Sequence, residues 1–228
     1  PANQEVMADR LRCTHRLLLA IFFLSGACAL TYQVVWIRLL NLAFGATNFA
    51  MAVVLATFMG GLGLGSLLAA RWAERLSSPI TAYARLEALI AAFGLVAPLL
   101  IRSVDRVQAA LLDVDSPVAL VLAVQITCCA VPLLVPTTAM GATLPILSRW
   151  IAQDETTRGR DLGLLYALNT LGAFVGTLFA GFYAIEHLGV SGTNLCAVVV
   201  NILVAVLARR PASLRLVLRI NGLQPRRQ

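Results

Sequence analysis

The sequence predicts an all-α membrane protein of six transmembrane helices. Three observations carry that prediction: the composition, the spacing of the uncharged runs, and the distribution of arginine. Of 228 residues, 59% are hydrophobic and 13% charged, against nearer half and a quarter in a soluble domain. A helix crossing about 30 Å of hydrocarbon uses roughly 20 apolar residues, so about six of them account for the excess. Residues 17–37 and 50–70 contain no Asp, Glu, Lys or Arg. Residues 80–101 hold only Arg85 and Glu87, both near the start, and 116–148, 162–185 and 188–208 complete the set.

The first run follows Arg10, Arg12 and Arg16 and has the look of a signal-peptide core. Its apolar character continues through Trp36 and a second run follows at once, so an uncleaved first helix is expected. The chain starts at Pro1 rather than Met, as a processed or partial sequence would. The 33 residues of 116–148, with Pro132, Pro136 and Pro145, would extend about 50 Å as one helix. Two spans would need about 40 residues plus a turn, so one long proline-containing helix is expected. The resulting division is an N-terminal segment 1–16, a membrane domain 17–208 and a basic tail 209–228.

Charge supports the same count. All 18 basic residues are Arg, and 11 acids leave a net charge of +7. With six spans and a cytoplasmic N-terminus, only Arg38, Arg102 and Arg106 fall outside. The positive-inside rule therefore places both termini in the cytoplasm of a bacterial inner-membrane protein. The lipid bilayer is the expected partner of this charge, and nucleic acid is not. Five cysteines without a C-x-x-C and two distant histidines predict no metal site, and no cofactor is expected.

An internal repeat is also expected. A shift of 111 residues lays Gly61 on Gly172, Gly65 on Gly176, Ala69 on Ala180 and Arg38 on Arg149. Three spans per unit make the second unit inverted, the 3+3 plan that resembles half of a major facilitator transporter. Gly61, Gly65 and Ala69 share one helical face, as do Gly172, Gly176 and Ala180. Such small-residue faces let helix backbones approach closely, within the chain or across a homodimer.

Polar residues inside the spans are few. Tyr32, Gln33 and Trp36, followed by Arg38, lie on the first helix, Glu87 on the third and Asn169 on the fifth. Ionisable groups at membrane depth are costly, and are paired or functional. Arg71, Arg75 and Arg149 are the expected partners of Glu87, while Gln33 and Asn169 are expected to line a polar cavity. These six residues, Tyr32, Gln33, Trp36, Arg38, Glu87 and Asn169, are the candidate ligand-binding set.

Several segments together carry a family resemblance. Phe22-Phe23-Leu24-Ser25-Gly26-Ala27 runs into Tyr32-Gln33-Val34-Val35-Trp36-Ile37-Arg38, followed by Met140-Gly141-Ala142-Thr143-Leu144-Pro145 and Tyr166-Ala167-Leu168-Asn169-Thr170. They resemble the membrane region of bacterial spermidine-synthase-like proteins, in which a membrane part is fused to an aminopropyltransferase-like domain. The resemblance covers about residues 18–208 and implies polyamine chemistry. It does not extend to a Gly-rich nucleotide loop or an acidic pair, so no catalytic residue is assigned and this chain alone is not expected to be an enzyme. The expected function is a membrane module that binds or translocates a small polar or cationic solute. The alternatives are a non-catalytic anchor or accessory subunit of a larger membrane complex, and the membrane part of an aminopropyltransferase-like enzyme.

Overall fold

A computed structural model describes residues 2–44, 48–113, 115–151 and 158–220. Seven α-helices run through them: α1 (Ala2–Phe44), α2 (Asn48–Trp72), α3 (Pro79–Arg102), α4 (Val104–Leu111), α5 (Val118–Ile151), α6 (Arg158–Phe179) and α7 (Ile185–Ile220). A 3-10 turn, Ala73–Arg75, follows α2, and a π-helical turn, Ala180–Ala184, separates α6 from α7. No strand occurs among the described residues.

Five segments are long and apolar enough to cross a membrane: Cys13–Ala43, Met51–Arg75, Pro79–Arg102, Val118–Trp150 and Arg158–Arg209. The last has 52 residues, about 78 Å as a straight rod and more than twice the hydrocarbon thickness. Gly189 interrupts it at φ 69°, ψ 173°, a region of backbone space that is essentially glycine-only. Six rods of spanning length result. The break falls at Gly189 rather than at the charged spacer Glu186–His187 because glycine alone among the nearby residues reaches that conformation without strain. Gly189→Ala is expected to cost about 1–3 kcal/mol, measurable as a lowered unfolding midpoint in detergent. An unchanged midpoint would show that the reversal tolerates another backbone path.

Several further features follow from local chemistry. Pro79 opens α3 at its first turn, where its fixed φ suits the helix and its missing N–H is not needed. The segment with three internal prolines is one helix, α5. Thr137 donates to the Leu133 carbonyl at 2.7 Å, and Ser148 to the Pro145 carbonyl at 2.9 Å. The 17–37 run belongs to a longer helix that already starts at Ala2, and α7 continues past Arg209 to Ile220. Of the basic tail, 221–228 lies outside the described residues. The connection after α3 contains the short helix α4.

The helices pack in a definite pattern: α1 against α6 and α7, α3 against α5 and α7, and α2 against α5. Residue pairs set the directions. Ser25 meets Glu87, and Tyr32 lies where a side chain at Gly94 would stand, so α1 and α3 run parallel. Glu87 meets Asn201, and Gly94 meets Asn194, so α3 and α7 run antiparallel. The start of α1 and the end of α7 therefore lie at the same face of the bundle.

Two buried clusters fill the interior. One gathers Tyr32, Trp36, Phe58, Ile90 and Leu133 among others, the other Leu18, Phe22, Tyr83, Leu147 and Leu165. The outer surface is also apolar: Leu67, Leu99, Val131, Phe174 and Phe182 are exposed. Apolar side chains in this number on the exterior are unsuited to water and match hydrocarbon, in keeping with helices long and apolar enough to span a membrane.

Candidate functional site at Glu87

Glu87 has no solvent exposure. It stands on the inner face of α3, one turn beyond Tyr83 and four residues before Ala91, both buried. Ser25 Oγ on α1 donates to its Oε1 at 2.6 Å, and Asn201 Nδ2 on α7 donates to its Oε2 at 2.5 Å. One carboxylate thereby ties three helices. The expected arginine partner is not found. Arg71, Arg75 and Arg149 are exposed at helix ends, where a guanidinium keeps its hydration, and no ion pair to Glu87 occurs among the described residues. A hydroxyl and an amide take the place of the cation.

The surroundings are rich in oxygen. The Tyr83 hydroxyl lies beside the carboxylate and Ser25 without a well-formed hydrogen bond to either. Cys28 and Tyr32 on α1 are within electrostatic range of it. Tyr32 stacks on Trp36 with ring centroids 5.3 Å apart, and Tyr83 packs edge-on against Phe22 at 6.2 Å. Tyr32 Oη, Tyr83 Oη, Trp36 Nε1, Gln33 Oε1, Asn194 Oδ1 and Asn201 Oδ1 are all buried without a hydrogen-bond partner. Each such group normally costs about 1–3 kcal/mol, and three of them, on Tyr32, Tyr83 and Asn201, belong to residues beside the Glu87 carboxylate.

Of the six candidate ligand residues, Tyr32, Trp36 and Glu87 fall in one neighbourhood between α1, α3 and α7. Gln33 is buried on α1. Asn169 is half-buried on α6 and packs against Gly26, on the seam between α1 and α6. Arg38 is exposed.

The small-residue faces are filled within the chain. A side chain at Gly61 or Gly65 would strike Thr137 or the Thr138 carbonyl on α5. One at Gly172 or Gly176 would strike the Phe23 or Ala27 carbonyl on α1. Ala69 and Ala180 are buried. Thr31 Oγ1 adds hydrogen bonds to its own helix at Ala27 and, at 3.3 Å, to the Gly176 carbonyl, and Ser66 Oγ bonds the Gly141 carbonyl at 2.9 Å.

Sequence reading missed Ser25, Tyr83 and Asn201 as members of the site. The signal was present in helical spacing. Ser25, Cys28, Tyr32 and Trp36 recur every three or four residues, Tyr83 precedes Glu87 by four, and Asn194 precedes Asn201 by seven. Each set shares a helix face.

Fold and site together define a class, an all-α bundle of long apolar helices with a carboxylate sealed between three of them. Comparison of the chain with family models, with curated proteins and with solved structures returns no match in any of the three.

Proposed function

We propose that the chain is a membrane-embedded module that binds a small cation at Glu87 and passes it between the two sides of the bilayer. The observation that carries this reading is the pairing of the carboxylate: a fully buried Glu87 receives two neutral donors and, among the described residues, no basic side chain. A negative charge at membrane depth calls for a proton or a cation. The unpartnered oxygens of Tyr32, Tyr83 and Asn201 are the ligand atoms that a hard cation or an ammonium group takes. With Glu87 inaccessible, the described conformation corresponds to an occluded state. A polyamine-like ammonium compound is the solute class that agrees with the resemblance to spermidine-synthase-like membrane regions.

An inverted 3+3 repeat belongs to this reading, and the packing supports it. Gly65 lies against Thr138, and Gly176 against Ala27. These are one contact displaced by 111 residues with the partners exchanged. The same exchange turns the α1–α6 pair into α5–α2, the α1–α7 pair into α5–α3, and α3–α7 into itself. Transporters built this way hold substrate near the midplane, at the repeat interface, which here is the α3–α7 seam carrying Glu87 and Asn201. The excess of arginine on one side agrees with both termini lying in the cytoplasm, beneath an inner membrane.

The test is uptake of labelled putrescine, with sodium and proton flux as parallel readouts, into proteoliposomes holding the purified chain or its Glu87→Gln variant. Uptake at least about ten-fold above protein-free vesicles, lost in the variant while its unfolding midpoint is retained, is expected. Equal flux in both proteins, or none in either, overturns the reading and leaves a non-catalytic anchor ahead.

A further inference from the structure

A groove of about 360 Å³ runs along the outside of the bundle between α3 and α7, lined by Ala88, Ala92, Leu95, Ile202, Val206 and Arg209 among others. It opens outward from the α3–α7 seam with Ala91 and Ala205 as its floor, one turn from Glu87 and Asn201 respectively, and none of Glu87, Asn201, Ser25 and Tyr83 lines it. Ala88 to Leu95 spans about 10 Å of helix, with alanines as the α3 wall, so the two helices leave an open trough instead of a filled ridge. Its chemistry is apolar except at one end, where Arg209 closes it. Because α3 and α7 run antiparallel, residues before Ala88 on α3 lie at the same end as Arg209. Arg85 is there, one turn from Ala88 on the same helix face, and exposed.

An apolar trough closed at one end by the Arg209 guanidinium, with the exposed Arg85 one helical turn before its first lining residue on α3, has the polarity of one phospholipid molecule. We propose that the groove binds an anionic phospholipid, with an acyl chain along Ala88, Ala92, Leu95, Ile202 and Val206 and the headgroup phosphate held by Arg209 and Arg85. Guanidinium groups suit phosphate because they present planar, paired donors, and basic pockets between transmembrane helices select anionic headgroups. A second copy of this chain fits the charge less well. Two copies related by a two-fold axis along the membrane normal would bring Arg85 and Arg209 of both to the same depth, where like charges repel.

The experiment is native mass spectrometry of the purified chain equilibrated with phosphatidylglycerol or phosphatidylcholine of identical acyl chains. Wild type retains one phosphatidylglycerol with a preference of at least about ten-fold over phosphatidylcholine, each arginine contributing about five-fold. The double variant Arg85→Gln, Arg209→Gln loses the preference while keeping its unfolding midpoint. Ala92→Trp, which fills the trough from an exposed position, removes the adduct of either lipid. Retention of the preference in the double variant overturns the proposal. So does an adduct untouched by Ala92→Trp, or a dimer that Ala92→Trp dissociates, which would assign the groove to a second copy.

Discussion

Gly65→Ala will destabilise the bundle, by about 3 kcal/mol, while Gly60→Ala on the same helix will be neutral or stabilising. The added methyl at Gly65 meets the Thr138 carbonyl and the Ala142 backbone nitrogen of α5. Backbone cannot rotate away as a side chain can, so α2 and α5 must separate along their seam. Overpacking of this kind costs about 1–3 kcal/mol and sometimes more. Separation also stretches the Ser66–Gly141 hydrogen bond and forfeits the dispersion contacts that hold helices together where lipid offers no hydrophobic drive. Gly60 has open space where its methyl would stand, and exchanging glycine for alanine in a helix gains about 0.5–1 kcal/mol. Gly176→Ala should behave as Gly65→Ala does, because its methyl meets the Ala27 carbonyl. Unfolding midpoints of the three variants in one detergent give the comparison. Equal midpoints for Gly60→Ala and Gly65→Ala would mean that the α2–α5 seam is looser than the geometry requires.

Glu87→Ala should cost about 2–4 kcal/mol and Glu87→Gln no more than about 1 kcal/mol. Truncation to alanine leaves a cavity among fully buried residues and strips the acceptor from Ser25 Oγ and Asn201 Nδ2 at once, each orphaned donor costing about 1–3 kcal/mol in general. Part of that is recovered if the tyrosine and serine hydroxyls reorient toward one another. Glutamine keeps the volume. Its Oε1 accepts from Asn201, and its Nε2 donates to Ser25 Oγ, whose hydroxyl is both donor and acceptor. Equilibrium unfolding in mixed detergent separates the two variants. If glutamine proves as damaging as alanine, the negative charge itself holds α1, α3 and α7 together, and a tightly held counter-cation becomes part of the folded state.

The spans were legible in the sequence because their causes are local. Some twenty uncharged residues and arginines at alternate ends act within one helix, whatever its neighbours do. The single helix α5 was legible for the same reason: its length falls short of two spans, and its prolines sit within one continuous apolar run. The site was legible only in part. Glu87, Tyr32 and Trp36 stood out as polar groups at depth, but their partners depend on how each helix is rotated about its axis, which no local pattern sets. An arginine was the natural guess for Glu87 on charge alone. It failed because Arg71, Arg75 and Arg149 sit at helix ends, where hydration outweighs a distant carboxylate. Packing instead turned Ser25 and Asn201 inward. Asn169 shows the same dependence: it is polar and inside a span, yet the close approach of α6 to Gly26 directs it to the α1–α6 seam and away from Glu87. Composition and spacing thus set how many helices there are and roughly where they end. Which faces meet is a property of the assembled bundle, because close packing between backbones depends on all six rods at once.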